Sequence, residues 1–316
     1  MKGKNKINVI IYVIILLFSL GNLVFAEDST EEQVKQGNSY YENGKYDLAE
    51  KYWKMAADKG NIDALYALGI LYEDADKLDL AEKYYKLAAD KGDADAQYNL
   101  GVLYDDQKKY DLAEAYYKKA AAQGDADAQY NLGVLYDDQK KYDLAEAYYK
   151  KAAAQGDVDA QYNLGCLYDT QKNFTEAEKY YKLAADQGDK GAQYNLGCLY
   201  DTQKKFALAE QFYRLAANQG DIDAQYNIGI LYKNQKKFVL AEKYWKMAAD
   251  QGDLEAQNNL GILYEEQKKY DLAEIYYKKA ADGGLKDAQY NLGLFYSDRG
   301  KKDLSKKYSE LAENNK

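Results

Sequence analysis

Few side chains of this chain are placed to do covalent chemistry. A nucleophilic serine needs a base at hand, most simply a Lys three positions on, and none of Ser29, Ser39, Ser297, Ser305 or Ser309 has one. Histidine, the commonest proton shuttle near neutral pH and the commonest nitrogen ligand for transition metals, is absent from all 316 residues. Asp105-Asp106 and Asp137-Asp138 are paired carboxylates, but they stand beside Lys-Lys at the ends of predicted helices, where a solvated surface explains them better than a glycosidase dyad. Asp93-Ala94-Asp95 and its copies offer hard oxygen donors; a calcium loop needs several more oxygens and a Gly turn, whereas helix capping needs no ion. Cys166 and Cys198 replace Val102, Val134, Ile230 or Ile262 of the other copies. Equivalent positions on stacked helices lie roughly 8 to 10 Å apart, beyond disulfide reach. Both are therefore expected to be free thiols in small apolar positions. No cofactor and no metal is expected.

The recurring chemistry is that of recognition. Tyr98, Tyr130, Tyr162, Tyr194, Tyr226 and Tyr290 form one row, and Asn99, Asn131, Asn163, Asn195, Asn227, Asn259 and Asn291 form a second beside it. A Tyr ring is a large, stiff anchor with a polar tip, and an Asn amide both donates to and accepts from a peptide backbone. Each row has a second reading: the rings pack between neighbouring helices, and the amides bond to the neighbouring unit or turn. Tyr104 and Tyr117, with their copies, fall instead on the packed side and are expected in the core.

The elements that carry these rows follow from a self-alignment, which returns one period of 32. Gly60 through Gly284 and Gly37 through Gly293 recur at that spacing without a slip. Residues 29 to 316 hold nine periods, the most degenerate helices being Glu31 to Asn43 at the start and Leu304 to Glu313 at the end. In the unit Asp93 to Gly124, Asp93 and Asp95 start a first helix, on which Ala96, Leu100, Leu103 and Tyr104 recur at helical spacing. Gln107-Lys108-Lys109-Tyr110 is the turn, and Asp111 is expected to cap the second helix, whose apolar face is Leu112, Ala113, Tyr116, Tyr117, Ala120 and Ala121. Gly124 suits a left-handed helix terminus. Glu114 and Lys118, like Glu146 and Lys150 or Glu242 and Lys246, are four apart and read as a solvated charged face. Neither helix can bury its apolar face alone, so unit must stack on unit. The expected fold is all-α, a right-handed α-solenoid of nine 32-residue helix-turn-helix repeats. Ser305, Ser309 and Glu313 stand where other units have Ala, Tyr and Ala, making the last helix a polar cap.

The strings Ala96-Gln97-Tyr98-Asn99-Leu100-Gly101 and Tyr117-Lys118-Lys119-Ala120-Ala121-Ala122-Gln123-Gly124 resemble the Sel1-like repeat, a relative of the tetratricopeptide repeat. The loop between the two helices is shorter than is usual for Sel1-like units, and the spacing Leu100, Gly101, Tyr104, Ala113, Tyr117, Ala120 is similar to the tetratricopeptide pattern. The resemblance implies a non-catalytic adaptor. It also implies that the Tyr98, Tyr130, Tyr162, Tyr194 and Tyr226 side of the first helices, with Asn99, Asn131, Asn163, Asn195 and Asn227, lines a concave groove for a peptide or a partner protein. A cysteine-rich bacterial subgroup is linked to penicillin binding and beta-lactam hydrolysis, but its paired-Cys loops are missing here.

Net charge is −9, with Lys and Arg dispersed among acids, so no basic stripe exists for a phosphate backbone and nucleic acid is not an expected partner. At the start, Lys2, Lys4 and Lys6 precede the apolar run Ile7 to Phe18, and Val24-Phe25-Ala26 closes the segment. This reads as a signal peptide, residues 1–26, cleaved to leave a chain 27–316 that is periplasmic or secreted and has no membrane contact of its own. The competing reading is an uncleaved anchor of about 20 residues. Three functions fit: an exported scaffold for proteins or peptides, which is favoured; an envelope enzyme acting on cell-wall or beta-lactam substrates; and a secreted effector facing a host.

Overall fold

A computed structural model describes residues 29–314; the segment 1–26 read as a signal peptide lies outside them. Within these residues the chain is an α-solenoid of eighteen helices with no strand. The helices are α1 (Thr30–Glu42), α2 (Tyr46–Asp58), α3 (Ile62–Asp74), α4 (Leu78–Ala89), α5 (Ala94–Asp106), α6 (Tyr110–Ala122), α7 (Ala126–Asp138), α8 (Tyr142–Ala154) and α9 (Val158–Thr170). They continue as α10 (Phe174–Asp186), α11 (Lys190–Thr202), α12 (Phe206–Asn218), α13 (Ile222–Asn234), α14 (Phe238–Asp250), α15 (Leu254–Glu266), α16 (Tyr270–Asp282), α17 (Lys286–Asp298) and α18 (Lys302–Asn314). Odd numbers are the first helix of each repeat and even numbers the second. The chain forms two compact units, the first ending at Lys151 and the second beginning at Ala152.

Local signals set the helix ends. Asp93 accepts the Ala96 N–H at 2.7 Å and starts α5, and Asp125, Asp189 and Asp221 do the same at their own helices. The second helix starts differently from the expectation. Lys109 holds the capping position of α6 without a side-chain bond, and Asp111 lies inside the first turn, where its carboxylate faces the positive helix end without capping it. Both ends of a repeat close on one hydrogen-bond pattern. After α6 the Asp125 N–H donates to the Ala120 carbonyl and Gly124 (φ +99°) to Ala121. After α5 the Lys109 N–H donates to Tyr104 and Lys108 to Asp105. These are two Schellman closures, and the second places a lysine at φ +59° where glycine would be unstrained. Gly44 and Gly300 hold that position in the first and last repeats.

The packing inside a repeat rests on Gly101. A Cβ there would meet the Tyr117 ring at 2.4 Å, so the ring lies directly on the α5 backbone, 1% exposed. Gly69 with Tyr85 and Gly133 with Tyr149 repeat this in the first unit, as do Gly197 with Tyr213 and Gly229 with Trp245 in the second. Leu100, Tyr104, Ala113 and Ala120 fill the space around it and are buried, as expected. In the last helix Tyr308 and Ala312 are buried, Glu313 is exposed, and Ser309 takes the place of the ring over Gly293.

Repeats are joined by polar bonds that the sequence reading did not anticipate. Gln97, buried, donates to the Ala89 carbonyl at 3.1 Å and accepts from Gln123 at 2.9 Å; in the second unit Gln193 joins Ala185 and Gln219 likewise. The Oε1 of Gln257 is buried without a partner, because position 283, where the donating Gln would stand, is Gly. Glu114 and Glu242 pair with Lys118 and Lys246 as expected, but the face is not merely solvated. Glu114 also accepts the Tyr136 hydroxyl of the next repeat at 2.8 Å, and Glu274 that of Tyr296 at 2.9 Å.

Two outcomes follow. Lys108→Gly and Lys204→Gly relieve a left-handed residue at the expense of some unfolded-state entropy, so each should stabilise the fold by about 0.5 to 1 kcal/mol, read as a higher urea midpoint; an unchanged or lower midpoint would show that the turn is unstrained. Glu274 is held at about 2, below its ordinary 4.5, by Lys278 first and then by Tyr296 and Lys301. A depressed carboxylate stabilises the folded state above its unfolded pKa and ceases to do so as pH falls through the folded value. The melting-temperature gap between the chain and Glu274→Gln should therefore be full at neutral pH and close between pH 4.5 and about 2.

Candidate peptide-binding face

The first helix presents Tyr98 and Asn99, or copies of both, in the third to seventh and ninth repeats, just before the Gly equivalent to Gly101. Each of these side chains is half-buried in the first unit. The Tyr98 ring lies 6.0 Å from the Tyr117 ring, tilted by 39°. From the next repeat, Asn131 donates its Nδ2 to the Tyr98 hydroxyl at 3.5 Å and to the Tyr117 hydroxyl at 3.4 Å. The same triangle stands one repeat earlier, with Asn99 Nδ2 at 3.3 Å from the hydroxyls of both Tyr66 and Tyr85. Tyr66 and the tips of the core tyrosines thus belong to the face. Ring and amide are partly packed and partly open: the rings stack on the core and the amides bridge repeats, which is the packing reading of the two rows, while the remaining surface faces solvent.

The second unit keeps the pattern with substitutions. Tyr162 and Tyr194 lie 6.2 and 6.1 Å from Tyr181 and Tyr213, and Asn227 donates to the Tyr194 hydroxyl at 3.2 Å. Tyr226 is half-buried and its carbonyl accepts the Trp245 indole N–H at 3.1 Å. The row changes at Asn258, which accepts from Asn291 at 3.0 Å. Tyr290, in the last repeat, is 57% exposed. Cys166 and Cys198 are free and half-buried in the same network: Asn195 donates to the Cys166 Sγ at 3.8 Å, and the Tyr213 hydroxyl to the Cys198 Sγ at 3.5 Å.

The electrostatics keep the groups of this face neutral. Burial pushes the Tyr98 phenol up, Asp127 of the next repeat pushes the same way, and the Asn131 amide pulls it back. The phenol is a neutral donor and acceptor in an acidic setting. Burial likewise raises both thiols, which leaves them protonated and poorly nucleophilic near neutral pH. The Asp93 carboxylate is committed to its helix start, and among the described residues no three His, Cys, Asp or Glu side chains converge on a metal position. Among the described residues no helix is long and apolar enough to cross a membrane.

The repeat geometry has a family. A tetratricopeptide repeat model matches residues 34–96, 87–128, 98–160, 130–192, 162–227 and 226–288, and a second tetratricopeptide repeat model matches 287–314. The chain belongs to the tetratricopeptide repeat family. Among solved structures it is similar to a protective antigen with an SLR fold present in uropathogenic Escherichia coli strains, at 29% identity and a TM-score of 0.76, over 90% of this chain and 68% of that one. It is also similar to a Sel1 repeat protein from Oxalobacter formigenes, at 26% identity and a TM-score of 0.63, over 82% of this chain and 85% of that one. No curated protein matches the sequence. The chain is a Sel1-like, tetratricopeptide-like repeat scaffold of the kind that binds proteins.

The two cysteines make this face measurable without substitution. In the folded chain a maleimide should label Cys166 and Cys198 slowly, and after unfolding without reductant it should label both fully. A ligand seated on the face should slow the native reaction further; labelling that is fast in the native chain and indifferent to a bound ligand would place the binding surface elsewhere.

Proposed function

We propose that the chain is an exported scaffold that holds an extended peptide segment or a partner domain along the first-helix face. The observation that carries this reading is the repetition of one half-open set, Tyr98 with Asn131 and Tyr66 with Asn99, at successive repeats. An extended peptide offers backbone donors and acceptors at regular intervals, and half-exposed rings and amides at regular intervals suit it. The acids beside the rings, Asp95 and Asp127, favour a segment that carries positive charge. Export rests on Lys2, Lys4, Lys6 and the apolar run after them, with cleavage after Ala26. The similarity to a protective antigen supports an address outside the cytoplasm, and with it the second reading of a secreted protein facing a host.

The test is capture from the cell-envelope fraction, with the captured partner then measured against variants. Tyr98→Ala with Tyr130→Ala should weaken that partner at least tenfold. Each truncation should also lower stability by roughly 1 to 2 kcal/mol, because the rings stack on the core without being enclosed by it. Asn131→Ala should weaken peptides of different sequence alike, since an amide reads backbone. Unchanged affinity at temperatures where the variants remain folded would remove the face from the binding site.

A further inference from the structure

The turn between the two helices of a repeat is flanked by acids in most copies. The first helix ends on Asp106, Asp138 or Glu266, and the second has Asp111, Asp143 or Asp271 in its first turn. The sixth and seventh repeats, both in the second unit, have neither. Their first helices end on Thr202 and Asn234, and Ala207 and Val239 stand in place of the aspartate, so α12 and α14 start without an acid in the first turn. The turn lysines stay, as Lys204 with Lys205 and Lys236 with Lys237. The residue that opens the second helix changes along with the acids. It is Tyr110, Tyr142 or Tyr270 where the acids are kept, and Phe206 and Phe238 where they are lost, with Phe174 one repeat before them.

None of these changes serves the fold. Phe206 is 48% exposed, Phe238 42% and Val239 81%, and Leu208 and Leu240 beside them are open as well. An aspartate in the first turn interacts favourably with the positive helix end, and Val239 forgoes that without burying its own side chain. Lys205 and Lys237 lean back over the Tyr200 and Tyr232 rings, and Lys237 lies 3.6 Å from Glu210, whereas Lys204 and Lys236 are exposed two residues before the phenylalanines. The acids that border the patch are already engaged: Glu210 accepts the Tyr232 hydroxyl at 3.0 Å, and Glu266 of the next turn lies 3.7 Å from Lys233. What the two turns offer to the outside is apolar and basic.

We propose that the turns of the sixth and seventh repeats rest on the surface of an anionic phospholipid bilayer, Phe206, Phe238 and Val239 entering the acyl boundary and Lys204 and Lys236 meeting the headgroup phosphates. Exposed phenylalanine and aliphatic side chains flanked by lysine match such an interface in both apolarity and charge. Two observations choose the bilayer over an acidic protein. The ring loses its hydroxyl in the copies that lose their acids; Tyr serves a protein interface well and anchors at headgroup level, whereas Phe suits the acyl region, where a hydroxyl has no partner. The apolar groups also stand on exposed turns one repeat apart, which a fluid phase receives without a pocket shaped for each. The contact is peripheral, and it departs from the expectation that the chain 27–316 has no membrane contact of its own. It shares no residue with the first-helix face and needs no protein partner, so either reading can fail without the other.

The experiment sediments the chain that starts at Glu27 with phospholipid vesicles. This form holds every described helix and lacks the apolar run Ile7 to Phe18, which would itself enter a bilayer. The chain should pellet with vesicles of phosphatidylglycerol and phosphatidylcholine in equal parts, less so as salt is raised, and stay in solution with phosphatidylcholine alone. Ala207→Asp with Val239→Asp gives these turns the residue of the third, fourth and eighth repeats, so it should weaken vesicle binding roughly tenfold or more while the melting temperature is unchanged or higher. Phe206→Ser with Phe238→Ser should weaken binding as much at all salt concentrations, and Lys204→Gln with Lys236→Gln should also flatten the salt dependence. Equal binding to neutral vesicles, no binding to the anionic ones, or binding indifferent to the aspartate pair in a chain that melts normally would each overturn the proposal. So would a self-association that the aspartate pair abolishes, or capture of soluble polyglutamate that depends on the same phenylalanines, in place of vesicle binding; the first would give the patch to a second copy and the second to an acidic protein.

Discussion

Everything else in this fold depends on an aromatic ring lying where a methyl group would have to be. With Tyr117 against Gly101, the two helices of a repeat approach more closely than any Cβ would permit, and the ring is sealed from water on its way across the helix. The contact tolerates a change of ring, as Trp53 over Gly37 and Trp245 over Gly229 show, but not a change of glycine. It also determines where the ring's polar tip emerges. The Tyr117 hydroxyl comes out beside Tyr98 and Asn131, so the contact that sets the packing also sets the chemistry of the candidate binding face.

Stacking between repeats is specified by polar groups placed at the seams. A buried amide such as Gln97 is satisfied only when the preceding repeat presents a helix-end carbonyl and its own repeat a second Gln at the right distance. A slipped repeat would leave the Gln97 amide without the Ala89 carbonyl, at the cost of an unmade buried hydrogen bond at each seam. The exception shows the logic: where Gly283 replaces the second Gln, one buried oxygen of Gln257 is orphaned and the rest of the seam persists. The Glu114 to Tyr136 bond works at the opposite seam and makes Lys118 part of a three-member set.

A repeat array can also change its surface one copy at a time. At the turn edge the Glu of the second helix is kept from Glu50 to Glu274, whereas from the second repeat on the residue that follows the first helix is Ala75, a Gln or Arg299. Neighbours contact only neighbours, so such a change carries no penalty elsewhere in the fold.

The sequence alone determined the repeat length, the two helices of each repeat, the Asp that starts the first of them, the Gly that ends the second and the burial of Tyr104 and Tyr117. These depend on spacing and on residues within four positions of one another, which a linear pattern records. It also brought Tyr98 and Asn99 to one side of their helix, since helical periodicity suffices for that. What it misjudged lay between helices. Asp111 was expected to cap and does not, because the Schellman turn places Lys109 at the capping position; Glu114 read as solvated because its second partner, Tyr136, is 22 residues away. Gln97 gave no signal of burial, and Tyr98 could not be assigned to core or surface, because its exposure is set by how closely Tyr117 and Asn131 approach it. Only the tertiary structure decides such distances, since they follow from the packing of one repeat on the next and not from the order of residues within a repeat.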